Sequence, residues 1–397
     1  MALLIHCGLQ IEKKRVDSMR LLRNERTTAV LLLVAAALGV ILANSPAADA
    51  LYAFRDFRFG APALHLDLSV GSWVKDGLLA VFFFLAAIEL KHELQHGELD
   101  TGRKAIVPAI AAVGGVIVPA LIFLVIVRSP GLSDGWPIPT ATDIAFALGV
   151  LAIVGRGLPA RVRALLLALA VIDDLIAILI IAIFFTHGLA PVPLLIAVPV
   201  VALFGWLSRR RITALIVVAL IVLGVAAWVL VHASGIHATV AGVALGLAMA
   251  GSSASQTRRA LEPVSNAVIL PVFAFTAALV TIPAVGISQL SPVFWAIVVA
   301  LPVGKLIGIT GGALIAGVVS REKRAARIPL GDIIAVAGLG GVGFTVSLLM
   351  NELAYANLPE VAVEGTLAVL AASIISAIIG IVLVSIRARQ YRSGRLA

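Results

Sequence analysis

Two adjacent aspartates, Asp173 and Asp174, lie inside the apolar run ALAVIDDLIAILIIAIFF. About ten apolar residues flank them on each side, so they fall near the middle of a segment long enough to span a bilayer. An ionisable side chain there costs a few kcal/mol and needs a partner, a water-filled cavity or a function. Two carboxylates in a low-dielectric site cannot both stay ionised without a cation. A proton or a metal ion must neutralise them. Adjacent helical residues point about 100° apart. One can therefore face a cavity while the other faces a neighbouring helix. The competing reading is a pair locked in structural hydrogen bonds.

Further titratable positions lie inside or at the end of apolar runs. Asp143 lies in WPIPTATDIAFALGV, where Pro137 and Pro139 precede the β-branched Thr140 and Thr142. This is poor continuous-helix sequence. It predicts an interrupted helix, extended near Thr140–Thr142 and restarting around Asp143. A carboxylate suits a restarting N-terminus; plain N-capping at a membrane surface is the alternative. Lys305, in VALPVGKLIGITGG, is a mid-span cation. It suits pairing with Asp173 or Asp174, or offsetting helix-dipole ends where broken helices meet. Glu89 and Glu93 are four residues apart in IELKHEL and share a helix face. They read as solvated interface charge or as a pH-responsive mouth. His237, in SGIHATVAGVAL, reads as structural or pH-responsive, and Lys75 with Asp76 as markers of the outer surface.

The elements that must position these groups follow from composition. Of 397 residues, 61% are hydrophobic and 13% charged. Soluble domains hold roughly 45–50% and about 25%. Mean hydropathy is +1.11. The single cysteine, Cys7, excludes a disulfide scaffold. These values predict an all-α polytopic membrane protein. About twelve runs are long enough to span: 28–44, 70–92, 105–127, 138–155, 162–185, 191–207, 212–232, 236–251, 264–281, 292–318, 331–351 and 362–386. The start MALLIHCGLQ is too short for a signal peptide, so no processing is expected. The transporter domain then covers 28–386, between basic tails at 1–27 and 387–397.

The net charge of +9 does not form a nucleic-acid stripe; the basic residues cluster between spans. With both termini inside, 25 of the 30 Lys and Arg fall on inner segments. Five of the six outer loops carry one basic residue or none. This alternation predicts cytoplasmic termini. The longest outer loop, 45–69, alternates Phe57/Phe59 and Leu64/Leu66/Leu68 around Gly60-Ala61-Pro62, a hairpin pattern whose edge could pair with a second copy.

A second break is expected in VAGLGGVGFTVSLLM, where Gly338, Gly340, Gly341 and Gly343 crowd the eleventh span. Small-residue helix packing is the alternative. Two interrupted spans in corresponding positions of two halves, the fourth and the eleventh, point to an inverted-repeat secondary transporter. Asp143 precedes Asp173 by 30 residues, and Gly341 precedes Ser373 and Ser376 by a similar interval.

From about residue 20 to 390 the chain resembles bacterial Na+/H+ antiporters of the NhaA type. The resemblance rests on FFFLAAIELKHEL, PTATDIAFALGVLA, LAVIDDLIAILIIAIFFT, GIHATVAGV, ILPVFAFTAALV, GKLIGI and GGVGFTVSLLM. It implies twelve helices with the two discontinuous ones crossing at mid-membrane. By resemblance, Asp173 and Asp174 bind the cation and the proton, and Thr142 is a supplementary ligand. Asp143 and Lys305 compensate the crossing helix ends, and Lys305 pairs with Asp173. Glu89, Glu93 and His237 fall where the family places pH response, and the 45–69 hairpin where it places dimer contact. The sequence departs in FAFTAAL for FAFANAG and in GKLIGI for GKPLGI.

The expected activity is pH-regulated, electrogenic export of Na+ and Li+ against H+ across a bacterial inner membrane. The expected partners are these ions, the lipid bilayer and a second copy, with no cofactor and no enzyme chemistry. Two rivals are a sodium-coupled solute symporter of broken-helix type and an intramembrane aspartyl protease. The protease would want its aspartates on separate helices, with a Gly-x-Gly-Asp string that is absent here. No phosphate-binding Gly-x4-Gly-Lys-Ser/Thr loop appears, which favours gradient-driven transport.

Overall fold

Backbone polar groups find no water inside a bilayer, so each apolar run must satisfy its own hydrogen bonds, and a helix does so within one segment. The computed structural model describes residues 25–60, 66–96, 102–186, 188–211, 213–283, 286, 289–319 and 328–394. The N-terminal tail to residue 24, the connection 320–327, the hairpin tip 61–65 and the last three residues lie outside them. The helices are α1 Glu25–Ala43, α2 Ala48–Asp56, α3 Leu79–His96, α4 Gly102–Ile126, α5 Ile144–Val154, α6 Ala160–Phe184, α7 Pro191–Leu207 and α8 Ala214–Ala233. They continue with α9 Thr239–Ala248, α10 Gly251–Val264, α11 Leu270–Ala277, α12 Pro292–Val299, α13 Lys305–Val319, α14 Leu330–Gly340, α15 Phe344–Ala354 and α16 Pro359–Arg392.

The chain is a multi-pass membrane protein. Among the described residues, eight helical stretches are long and apolar enough to cross a membrane, or nine with α14–α15 counted as one bent span. The other expected spans correspond to the shorter apolar helices α7 and α9 and to α3, which carries Glu89, Lys91 and Glu93. Three stretches widen into π-helical turns: Trp73–Leu78 before α3, Ser265–Ile269 between α10 and α11, and Ala300–Gly304 just before Lys305. In the last, Pro302 supplies no N–H, and the hydrogen-bond ladder opens where the buried lysine enters.

Helix contacts divide the molecule into two bundles. The site bundle packs α4, α5, α6 and α12–α16 together; the scaffold bundle packs α3 and α7–α10 together; α1 and α11 pack on each other between the two. The bundles meet where α1 lies on α5, α3 on α6 and α11 on α15. Lipid tails provide no hydrophobic drive between helices, so close approach of small residues sets the packing. Gly304, at the end of the π-helical turn, and Gly308 and Gly312 of α13 recur every four residues and face α4. A Cβ at Gly308 would stand 2.2 Å from the Gly114 carbonyl oxygen, and one at Gly304 would stand 2.7 Å from the Pro119 Cα. This contact seats Lys305 against α4. At the basic end, Asp332 of α14 is fully buried; Arg387 Nε donates to it at 2.9 Å and the Tyr391 hydroxyl at 2.6 Å. Arg161 of α6 in turn donates to that hydroxyl at 3.2 Å. The ends of α6, α14 and α16 are thereby tied.

At the opposite end, β1 (Arg58–Phe59) pairs antiparallel with β2 (Leu68–Ser69), with Phe59 opposite Leu68. The hairpin is therefore present, but each strand is only two residues long. Gly60 has φ +142°, where a side chain would collide with the Leu66 carbonyl. Its aromatic rings form a stacked series, Phe57 to Phe59 at 6.4 Å, Phe59 to Trp73 at 5.7 Å and Trp73 to Trp228 at 5.5 Å, which anchors the hairpin to α8.

Candidate functional site

The two interrupted segments meet in space. Before α5 the chain makes a 3-10 turn, Ile138–Thr140, and then runs extended through Ala141 to Asp143. α14 stops at Gly340 and α15 starts at Phe344, with a 48° bend between them. The Asp143 N–H donates to the Val342 carbonyl at 2.6 Å. The Thr142 hydroxyl donates to the Gly340 carbonyl at 2.7 Å. Each break satisfies polar groups that the other leaves orphaned.

Asp143 caps two helices at once. One oxygen accepts the Phe146 N–H of α5 at 2.9 Å. The other accepts the Thr345 hydroxyl at 2.8 Å and its N–H at 3.3 Å, in the first turn of α15. Two positive helix ends thus converge on one buried carboxylate. Thr345 was not among the expected site residues. Its only signal is that it lies two residues beyond the glycine cluster. Ser347 and Ser373 join the same region, donating to the Ile138 carbonyl at 2.7 Å and accepting the Phe344 N–H at 3.2 Å.

The adjacent aspartates part ways. Both oxygens of Asp173 accept from Lys305 Nζ, at 2.7 and 2.9 Å, with both side chains buried. Thr142 also faces the Asp173 carboxylate. Of the partners the sequence left open for Lys305, the geometry places it on Asp173. Asp174 points elsewhere, and one of its carboxylate oxygens is buried without a hydrogen-bond partner. It lines a cavity of about 350 Å³ that reaches Glu93, Arg163 and Arg258 at the basic end. Asp143, Asp173, Lys305 and Glu89 all lie close enough to act on it electrostatically. An unpartnered carboxylate at a cavity wall, beside broken backbone and a hydroxyl, can receive a small cation or a proton.

The pH-response candidates do not form one cluster. Glu89 and Glu93 line the cavity with Asp174, and Arg258 lies 3.5 Å from Glu89. His237 sits at the opposite end, 3.5 Å from Asp76. Asp76 is buried rather than marking the surface, and the Trp228 indole donates to its carbonyl at 2.8 Å.

Comparison with known proteins matches residues 19–384 to Na+/H+ antiporter 1. The chain belongs to the Na+/H+ antiporter 1 family. Relatives in this family include the Na(+)/H(+) antiporter NhaA 2 of Clavibacter michiganensis, 54% identical over 94% of this chain and 93% of that protein. The Na(+)/H(+) antiporter NhaA 1 of Saccharopolyspora erythraea is 43% identical over 98% and 96%. The Na(+)/H(+) antiporter NhaA of Tropheryma whipplei is 45% identical over 92% and 94%. The fold resembles the solved sodium proton antiporter MjNhaP1 from Methanocaldococcus jannaschii, with TM-score 0.53 and 14% identity, covering 98% of this chain and 99% of that one.

Proposed function

We propose that this antiporter-family chain exchanges Na+ for H+ by alternating access, with Asp174 as the seat that the two ions take in turn. One observation carries the reading: Asp174 lines the open cavity while its neighbour Asp173 is held by Lys305. We place the basic end, both termini and the cavity mouth in the cytoplasm of a bacterium, and the chain in its inner membrane as a twelve-span inverted repeat.

Na+ enters through the cavity to ionised Asp174. The Thr142 hydroxyl and carbonyl oxygens of the broken segments complete its shell, and Asp173 joins when Lys305 lets go. Charge neutralised, the site bundle rocks against the scaffold bundle and the ion leaves outward. Protons then occupy the carboxylates for the return. Shared ligands alone couple the two fluxes. Li+, with the same charge and preference for oxygen ligands, takes the same seat. Proton transfer at both Asp174 and the Asp173–Lys305 pair makes the cycle electrogenic. Glu89 and Glu93 at the mouth, with His237 at the far end, set the pH response, and the 45–69 hairpin joins two copies. The protease reading loses support, because Asp173 spends both oxygens on Lys305 and leaves no facing dyad.

The test is acridine-dye dequenching in everted vesicles on adding Na+, Li+ or K+ across a pH series. Wild type responds to Na+ and Li+, and the response fades as pH falls, because a proton on Asp174 removes the charge that holds the cation. Asp174→Asn gives no response at any pH while remaining in the membrane. A normal Na+ response from Asp174→Asn would falsify the assignment.

A further inference from the structure

At the end opposite the cavity, an ion pair joins the two bundles. Lys75 Nζ, in the π-helical turn that starts α3, lies 3.6 Å from Glu352 near the end of α15. Both are partly shielded, at 25% and 34% exposure. The other ion pairs described above stay within one bundle: Lys305 with Asp173 and Arg387 with Asp332 in the site bundle, Arg258 with Glu89 in the scaffold.

Each partner is fastened to its own bundle. The Trp228 indole of α8 holds the carbonyl of Asp76, the residue after Lys75. On the other side, the Asn351 amide beside Glu352 donates to the Ala362 carbonyl and the Thr366 hydroxyl of α16, at 2.7 and 3.1 Å. One residue past α15, the Tyr355 hydroxyl donates at 2.6 Å to the Leu132 carbonyl, in the segment that leads into α5. Burial, then nearby Asp134, holds the Tyr355 pKa above its usual value, so it stays a donor. Glu352 therefore moves with the site bundle and Lys75 with the scaffold. Glu352 also shares α15 with Thr345, about two turns earlier, and Thr345 grips Asp143.

We propose that Lys75 and Glu352 form an outer latch, closed when the site faces the cytoplasm and parted when it faces outward. The pair exists in one state only, so it biases the equilibrium by its own worth. For a partly exposed pair that is about two- to fivefold in the equilibrium constant between the two states. The proposal rests on the alternating-access reading, and its test is read without Na+, so that the two can fail separately.

The chain has one cysteine, which Cys7→Ser removes. Ala86, on the cavity wall, becomes the reporter by Ala86→Cys. Everted vesicles in Na+-free buffer receive a membrane-impermeant maleimide, and the labelling rate is read. Lys75→Glu, Glu352→Lys and the isosteric Glu352→Gln should each slow labelling, by up to about two- to fivefold. The double exchange Lys75→Glu with Glu352→Lys should restore the parent rate. High salt should slow the parent and leave Glu352→Gln unchanged. Single variants that label at the parent rate, or a double exchange as slow as the singles, would overturn the latch. Those outcomes leave the Asp174 exchange assay unaffected.

Discussion

Asp173 and Asp174 differ by one position and about 100° of helix rotation, and that difference gives them different surroundings. Asp173 meets Lys305 in a fully buried pair, and Asp174 meets the cavity. Removing one partner of a buried pair strands the other, at a cost of about 3–5 kcal/mol. Lys305→Met should therefore lower the thermal midpoint in detergent sharply, and adding Asp173→Asn should restore most of the loss. If the double variant melts no higher than Lys305→Met, the pair is not what stabilises this region. Thr345→Val removes a hydroxyl from a buried carboxylate, worth about 1.5–3 kcal/mol. Asp143 then holds α5 and α15 less firmly, and the half-saturating Na+ concentration in vesicle assays should rise several-fold. An unchanged value would detach Thr345 from the site. The charged residues were legible because an aspartate in an apolar run has few inexpensive explanations. Thr345 was not, because a threonine in a helix has many.

Packing between elements depends on what glycines leave out. Gly308 leaves no room for a side chain against α4, while Gly311, three residues on, has nothing within 4 Å of an added Cβ. Gly308→Val should push α13 off α4 and shift Lys305, lowering stability by about 1–3 kcal/mol. Gly311→Ala should change it by less than about 0.5 kcal/mol. Equal effects in thermal melts would remove the argument that close backbone approach seats the lysine. The break before α5 was legible from Pro137 and Pro139, whose backbone cannot continue a hydrogen-bond ladder. The break at residues 341–343 was legible only as a glycine cluster, since glycines serve packing and bending alike. That the two breaks hydrogen-bond each other was not written in either segment. They are about 200 residues apart, and the helices between them decide whether they meet.

At the scale of the whole molecule, the exposed Phe57 and Phe59 rings and a two-residue strand pair form a small edge, the one the proposed dimer would use. Their stacking on Trp73 and Trp228 ties that edge to the scaffold bundle, the part that stays still in the proposed cycle. Deleting residues 58–69 should move the protein from dimer toward monomer in light scattering after detergent extraction. An unchanged mass would place the dimer contact elsewhere.

The sequence by itself determined that the chain is a membrane helix bundle, where its backbone is interrupted, and which side chains are too costly to bury without purpose. Those features depend on local chemistry: apolar length, missing donors and isolated charge. Only the tertiary structure decided which aspartate Lys305 takes, that Asp143 caps two helices, that Asp174 lines the cavity, and that Lys75 reaches Glu352. These are contacts between segments remote in sequence, and helix packing sets their geometry.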